Sequence, residues 1–149
     1  MSCYSFKGTS IDPEVSFFNV AQIPDLTGGA PAGYPNDFQE ALSNKIRRET
    51  RLLLRSQEPH LLFDIQLTQF NILPQAPQAG TFSALNRLTI AFKVKMTNFK
   101  NEKQNFEQTF TRFEDFDANS DFTSEQTLLL NSINKLLLED IFNKAFTNW

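Results

Sequence analysis

The groups in this chain that could do chemistry are few, and most of their patterns are incomplete. Asp115, Asp117, Asn119 and Asp121 stand two apart, as do the first oxygen ligands of a calcium loop, where alternate side chains converge on one cation. The pattern then breaks. Ser120 stands where the sharp turn needs glycine, and Gln126 where a bidentate glutamate should close the site. The stretch reads as a solvated acidic turn that favours the start of the helix after it. His60 is the single imidazole, with Glu58 and Asp64 as its nearest carboxylates in sequence. A general base needs a nucleophile or a water within hydrogen-bond reach, and no local residue marks one. Gly28-Gly29 lacks the spacing of a phosphate-cradling loop. Cys3 is the only cysteine, so neither a disulfide framework nor a thiolate zinc site can be assembled. No catalytic set, no metal site and no cofactor is expected.

What remains is positive charge. Arg87, Lys93 and Lys95 fall on one side of an alternating segment, and a period of two places Lys93 and Lys95 about 7 Å apart, a spacing that suits one di-anionic group. Arg112, on the segment that follows, is a weaker addition, because its alternation can place it on the opposite face. An alternative basic surface is the run from Lys45 to Arg55, which includes Arg47, Arg48 and Arg51 and whose one anion is Glu49. Across the 149 residues the net charge is −3, which lacks the broad positive field of a nucleic-acid binder. No run approaches the roughly 18 apolar residues of a membrane-spanning helix.

The elements that must position these groups follow from apolar periodicity. Residues 1–12 read as a flexible leader, and 13–149 as a single domain. Val15 to Ile23 alternates as a strand, and Pro24 to Pro35 is a loop rich in glycine and proline. Asn36 or Asp37 can cap a helix to Leu54 whose inner stripe is Phe38, Leu42, Ile46, Thr50 and Leu53. Leu61 to Leu73 alternates as a second strand, Pro74 to Gly80 connects, and Leu88, Ile90, Phe92, Val94 and Met96 make the clearest strand of the chain. Asn98 to Gln104 turns the chain into an antiparallel partner that begins with Phe106 and Phe110. Thr123 and Gln126 form a capping box for a last helix with the stripe Leu130, Ile133, Leu137, Ile141 and Ala145. The order β-α-β-β-β-α predicts an α+β fold with two helices packed on one face of a mixed four-stranded sheet.

Several stretches resemble a known family. The run Ala84-Leu85-Asn86-Arg87-Leu88-Thr89-Ile90, the strand Phe106-Glu107-Gln108-Thr109-Phe110-Thr111-Arg112-Phe113 with Asp115-Phe116-Asp117, and the closing Leu138-Glu139-Asp140-Ile141-Phe142-Asn143-Lys144-Ala145 look like the LptE family. These are lipopolysaccharide-assembly lipoproteins of Gram-negative outer membranes. Ser2-Cys3, followed by Tyr4-Ser5-Phe6-Lys7-Gly8-Thr9-Ser10, resembles the mature start of such a lipoprotein, with Met1 in place of the signal peptide. The resemblance implies lipidation of Cys3 and anchoring on the periplasmic side of the outer membrane. It implies a non-enzymatic protein that plugs and helps assemble an LptD β-barrel and assists lipopolysaccharide transport to the cell surface. None of the family's basic contacts falls in a motif that aligns here, so Arg87, Lys93, Lys95 and Arg112 are candidates for lipopolysaccharide on their chemistry alone. Two alternatives stand beside this one: a pilotin-like or other periplasmic lipoprotein adaptor, and a small hydrolase using His60.

Overall fold

The structure, a computed structural model, describes residues 10–76 and 84–147. Cys3 with most of the leader, and residues 77–83 of the predicted connection, lie outside them. The elements are β1 (Phe17–Val20), α1 (Tyr34–Glu49), β2 (Leu53–Leu54), β3 (Leu61–Gln75), β4 (Leu85–Asn98), a short 3-10 turn (Glu102–Gln104), β5 (Phe106–Asp117) and α2 (Phe122–Phe146). The sheet has the order β2-β1-β3-β4-β5. β1 runs parallel to both of its neighbours, and β3, β4 and β5 are antiparallel in turn.

The sheet therefore has five strands where four were expected, and the extra strand comes out of the predicted helix. α1 ends at Glu49 rather than Leu54, because Thr50 is extended and turns its hydroxyl onto the Ile46 carbonyl (2.6 Å), then accepts the Leu52 amide (3.1 Å). Leu53 and Arg55 then donate their amides to Ser16 and Phe18, which satisfies the outer edge of β1. Unpaired backbone groups on a buried strand are costly. That demand outweighs the helical spacing of Thr50 and Leu53, and Leu53 ends 61% exposed instead of in the core. At its other end α1 starts at Tyr34, not at Asp37. Gly33 takes the left-handed conformation (φ 84°) and Pro35 sits in the first turn, where its missing amide costs nothing.

β3 and β4 pair from Leu61↔Asn98 to Gln75↔Leu85, so Pro74 and Gln75 extend the strand into the predicted connection. A bulge at Thr68 breaks the register between Leu67 and Gln69. One extra residue flips every later side chain. Leu61, Phe63, Ile65 and Leu67 face the helices before it, and Phe70 and Ile72 after it, which leaves Leu73 on the other face and 54% exposed. α2 starts two residues earlier than the capping-box expectation: Asp121 is the cap, accepting the Thr123 amide at 3.4 Å. Its buried stripe is Leu129, Ile133, Leu137, Ile141, Phe142 and Phe146, with Leu130 and Ala145 only partly covered.

Both helices cover the same face, as expected. Phe38 of α1 stacks on Phe92 of β4 at 4.1 Å between centroids, and Phe146 of α2 meets Phe63 of β3 at 6.2 Å. Tyr34 joins the helices by donating its hydroxyl to Asn134 Oδ1 at 2.6 Å, and burial pushes its phenol well above the usual range. The ring therefore stays a donor at every physiological pH.

Candidate functional site

The face of the sheet opposite the helices is uncovered, and β4 is its central line. Leu88, Ile90, Phe92, Val94 and Met96 are buried against the helices, so the alternate side chains of Arg87, Lys93 and Lys95 are held on the open face by packing behind them. The three predicted cations thus share one surface. Each also faces acid. Lys93 pairs with Glu107 at 3.0 Å, and Lys95 stands between Asp64 of β3 and Glu107 of β5 in register. Arg87 binds Asp115 through both ends of its guanidinium (2.8 and 3.1 Å) and lies over the Phe113 ring at 3.9 Å. The Asp115 hydrogen bonds raise the Arg87 pKa further, so its charge is fixed.

Lys93, Lys95, Asp64, Gln66 and Glu107 line a hollow of about 260 Å³ with Gln22 and Pro24. Two ammoniums facing two carboxylates make it charge-balanced. A phosphate entering this hollow would have to draw the lysines away from Asp64 and Glu107. Lys95 has no ion pair among the described residues and is the most available of the set.

Arg112 is separated from this group. It lies opposite Ile90, on the helix side, and binds Asp140 of α2 through two hydrogen bonds (2.8 and 3.0 Å), which raise its pKa. It clasps α2 to β5 and stands beside a groove of about 650 Å³ lined by Gln108, Thr111, Asn143 and Lys144.

The alternative basic surface is also divided. Arg51 donates to the carbonyls of Val15 (2.7 Å) and Asp12 (2.8 Å), tying the chain's entry to the end of α1. Arg47 and Arg48 are exposed in the last turn of α1, where cations complement the helix dipole. Sequence reasoning counted Arg55 with the run that begins at Lys45 and missed Lys100 and Lys103, which the fold gathers with it at the same end of the sheet. The signal was an aromatic residue, Phe99, inside a predicted polar turn.

His60 is a structural acceptor. Its Nδ1 takes the Ser16 amide at 2.9 Å and its ring meets Phe17 edge-on at 5.3 Å. Desolvation lowers its pKa, with Lys100 and Arg55 adding to the effect. The acidic residues of the incomplete calcium pattern have local partners: Asp115 holds Arg87, Asp117 accepts the Asn119 amide (2.9 Å) and Asp121 caps α2. Among the described residues no group of three potential ligands converges on one point. No helix among them is long and apolar enough to cross a membrane.

The fold recurs in solved structures of low sequence identity. Lipoprotein B from Nitrosomonas europaea is 14% identical, with a TM-score of 0.52 over 90% of this chain and 87% of that one. The PelC dodecamer from Paraburkholderia phytofirmans is 11% identical (TM-score 0.52, 93% and 94% covered). A putative neuraminyllactose-binding hemagglutinin homolog from Helicobacter pylori is 12% identical (TM-score 0.55, 93% and 87% covered). No curated protein matches the chain in sequence. The family model for LptE, described as lipopolysaccharide-assembly, matches residues 18–145, from the first core residue of β1 to the last turn of α2. That span takes in both helices and the whole open face, and the chain belongs to the LptE lipopolysaccharide-assembly family.

Proposed function

We propose that this protein is a non-enzymatic lipoprotein, anchored through Cys3 to the periplasmic side of the outer membrane, that plugs and helps assemble an LptD-type β-barrel and assists the passage of lipopolysaccharide to the cell surface. The observation that carries this is the family match over residues 18–145. The charge arrangement fits it. Lys93 and Lys95 offer two ammoniums on a strand fixed from behind, and the phosphorylated sugar of lipopolysaccharide offers the di-anion that would exchange with Asp64 and Glu107. Arg87 would flank that contact while remaining bound to Asp115, Arg112 serves chiefly to hold α2, and Arg47 and Arg48 are the second surface to test.

Purification of the tagged full-length protein from native outer membranes tests the partner. Recovery of a large β-barrel with it is the expected result. Recovery of a secretin ring in its place would support the adaptor alternative and overturn the barrel assignment. Mass spectrometry of the same material should show acyl chains on Cys3, since more than one chain is needed for stable anchoring. An unmodified cysteine in a membrane-free fraction would remove the anchor from the proposal.

A further inference from the structure

The two ends of the domain differ in charge and in surface. At one end lie the starts of β1, β3 and β5, the end of β4 and the last turns of both helices. Arg47, Arg48, Arg51, Arg55, Lys100, Lys103 and Lys144 gather there, against Asp12, Glu14, Glu49, Glu58 and Glu102. The opposite end holds Asp37, Asp115, Asp117, Asp121 and Glu125, with Arg87 as its cation. At the basic tip the turn between β4 and β5 projects Phe99, 61% exposed, with Lys100 exposed beside it.

This turn is rigid for a reason that can be named. Asn98, 1% exposed, accepts the amides of Lys100 (2.8 Å) and Asn101 (2.9 Å) on its side-chain oxygen and donates its Nδ2 to Gln104 (3.0 Å). The Phe99 amide donates to the His60 carbonyl at 2.9 Å. The aromatic ring is thus held outward by a fixed backbone and does not fold back onto the core.

The chain also enters the domain at this end. Ser10 donates its amide to Phe146 and shares a small hollow with Asn98 and Gln104. Six residues lie between Cys3 and Ser10, and the chain steps from one to the other reach about 25 Å at most when fully extended. A group held at a lipid surface through Cys3 therefore brings this end of the domain, and not the acidic one, to that surface.

We propose that the Phe99 turn is a second membrane contact: Phe99 enters the headgroup boundary of the bilayer while Lys100, Lys103 and Arg55 engage anionic lipid headgroups. Aromatic rings favour that boundary, and basic side chains next to it are attracted to anionic lipid. One ring and three cations bind weakly alone, so the contact acts together with the tether and sets the orientation of the domain on the membrane. It rests on the anchored reading given above and adds to it which end faces the lipid.

The test uses the full chain coupled through the Cys3 thiol to a maleimide lipid in phosphatidylcholine vesicles containing phosphatidylglycerol. Trp149→Phe removes the only tryptophan, and Phe99→Trp in that background places the probe, with Phe113→Trp on the open face as the comparison. A blue-shifted emission and several-fold stronger quenching by brominated acyl chains for F99W than for F113W is expected, reduced by high salt and by Lys100→Glu/Lys103→Glu. Equal quenching at the two positions, with unchanged thermal melts, would overturn the proposal. Because the tether is chemical, this outcome is separate from the state of Cys3 in cells: an unacylated Cys3 sinks the anchor, and an unquenched F99W sinks only the orientation.

Discussion

The two faces of the sheet are written on the same strands yet are held by different forces. Behind β4, five apolar side chains are sealed beneath two helices, with Phe92 stacked on Phe38. In front, Arg87 and Lys93 pair with acids that are about one-third to one-half exposed, and Lys95 stands in register with Asp64 and Glu107. Removal of apolar surface from water and close packing set the energy of the first, whereas exposed ion pairs contribute little to the second. The open face can therefore carry ligand contacts, and change them, with little consequence for folding. The covered face cannot.

Phe92→Ala should break the contrast most sharply. It leaves a cavity between β4 and α1 and is expected to cost about 3–5 kcal/mol, read as a lower urea midpoint. A loss below that of an exposed substitution would mean that the helices do not depend on this stack. Tyr34→Phe tests a polar link between the two helices on the covered side. It strands Asn134 without its partner and should cost about 1 kcal/mol in the same measurement; no change would show that the hydroxyl adds nothing to packing.

His60 lies at the end of the sheet, where the two faces meet, and gives the contrast a pH dependence. Its folded pKa is below the ordinary value of about 6.5, because burial disfavours the charged ring and the nearby Lys100 and Arg55 add to that, while its Nδ1 serves as acceptor for the Ser16 amide. As pH falls through about 6.5 the unfolded chain takes up the proton first, so stability declines between there and the folded pKa and levels off below it. His60→Asn keeps an acceptor without a titration, and the melting temperature of that variant should lose this component of its acid dependence. An identical pH profile in the two proteins would assign the acid sensitivity elsewhere.

The smallest expected effect on stability belongs to the open face. Lys93→Gln/Lys95→Gln should change the unfolding free energy by less than about 1 kcal/mol and still weaken lipopolysaccharide binding in a salt-dependent manner. Neutral substitutions are the cleaner choice, since charge reversal would set two new carboxylates beside Asp64 and Glu107. Unchanged binding at low salt would move the assignment to Arg47 and Arg48.

Local pattern was legible wherever one periodicity stood uncontested. The alternation from Arg87 to Thr97 identified β4 and its two faces, because a strand with one buried side has no other way to sort its residues. The last helix was equally plain, from Ile133 to Ile141. Pattern failed where a distant strand competed for the same residues. Thr50 to Leu54 has helical spacing and strand pairing at once, and only the open edge of β1 decides between them. The bulge at Thr68 was invisible for the same reason, since a register shift exists only relative to β4.

The site divides along that line. Sequence placed Lys93 and Lys95 together through a period of two and separated them from the apolar residues of their own strand. It also carried the likeness to the LptE family, which resides in side-chain order along the chain. It could not give the partners, since Asp64, Glu107, Asp115 and Asp140 come from other elements. Whether a cation is balanced, clasped or available depends on what the fold sets opposite it. Nor could it gather Arg55, Lys100 and Lys103 at the end where Ser10 enters, because segments 45–55, 98–104 and 144–147 become neighbours only when parallel and antiparallel strands align their ends. Periodicity belongs to the chain, and charge complementarity and the polarity of the two ends belong to the tertiary structure.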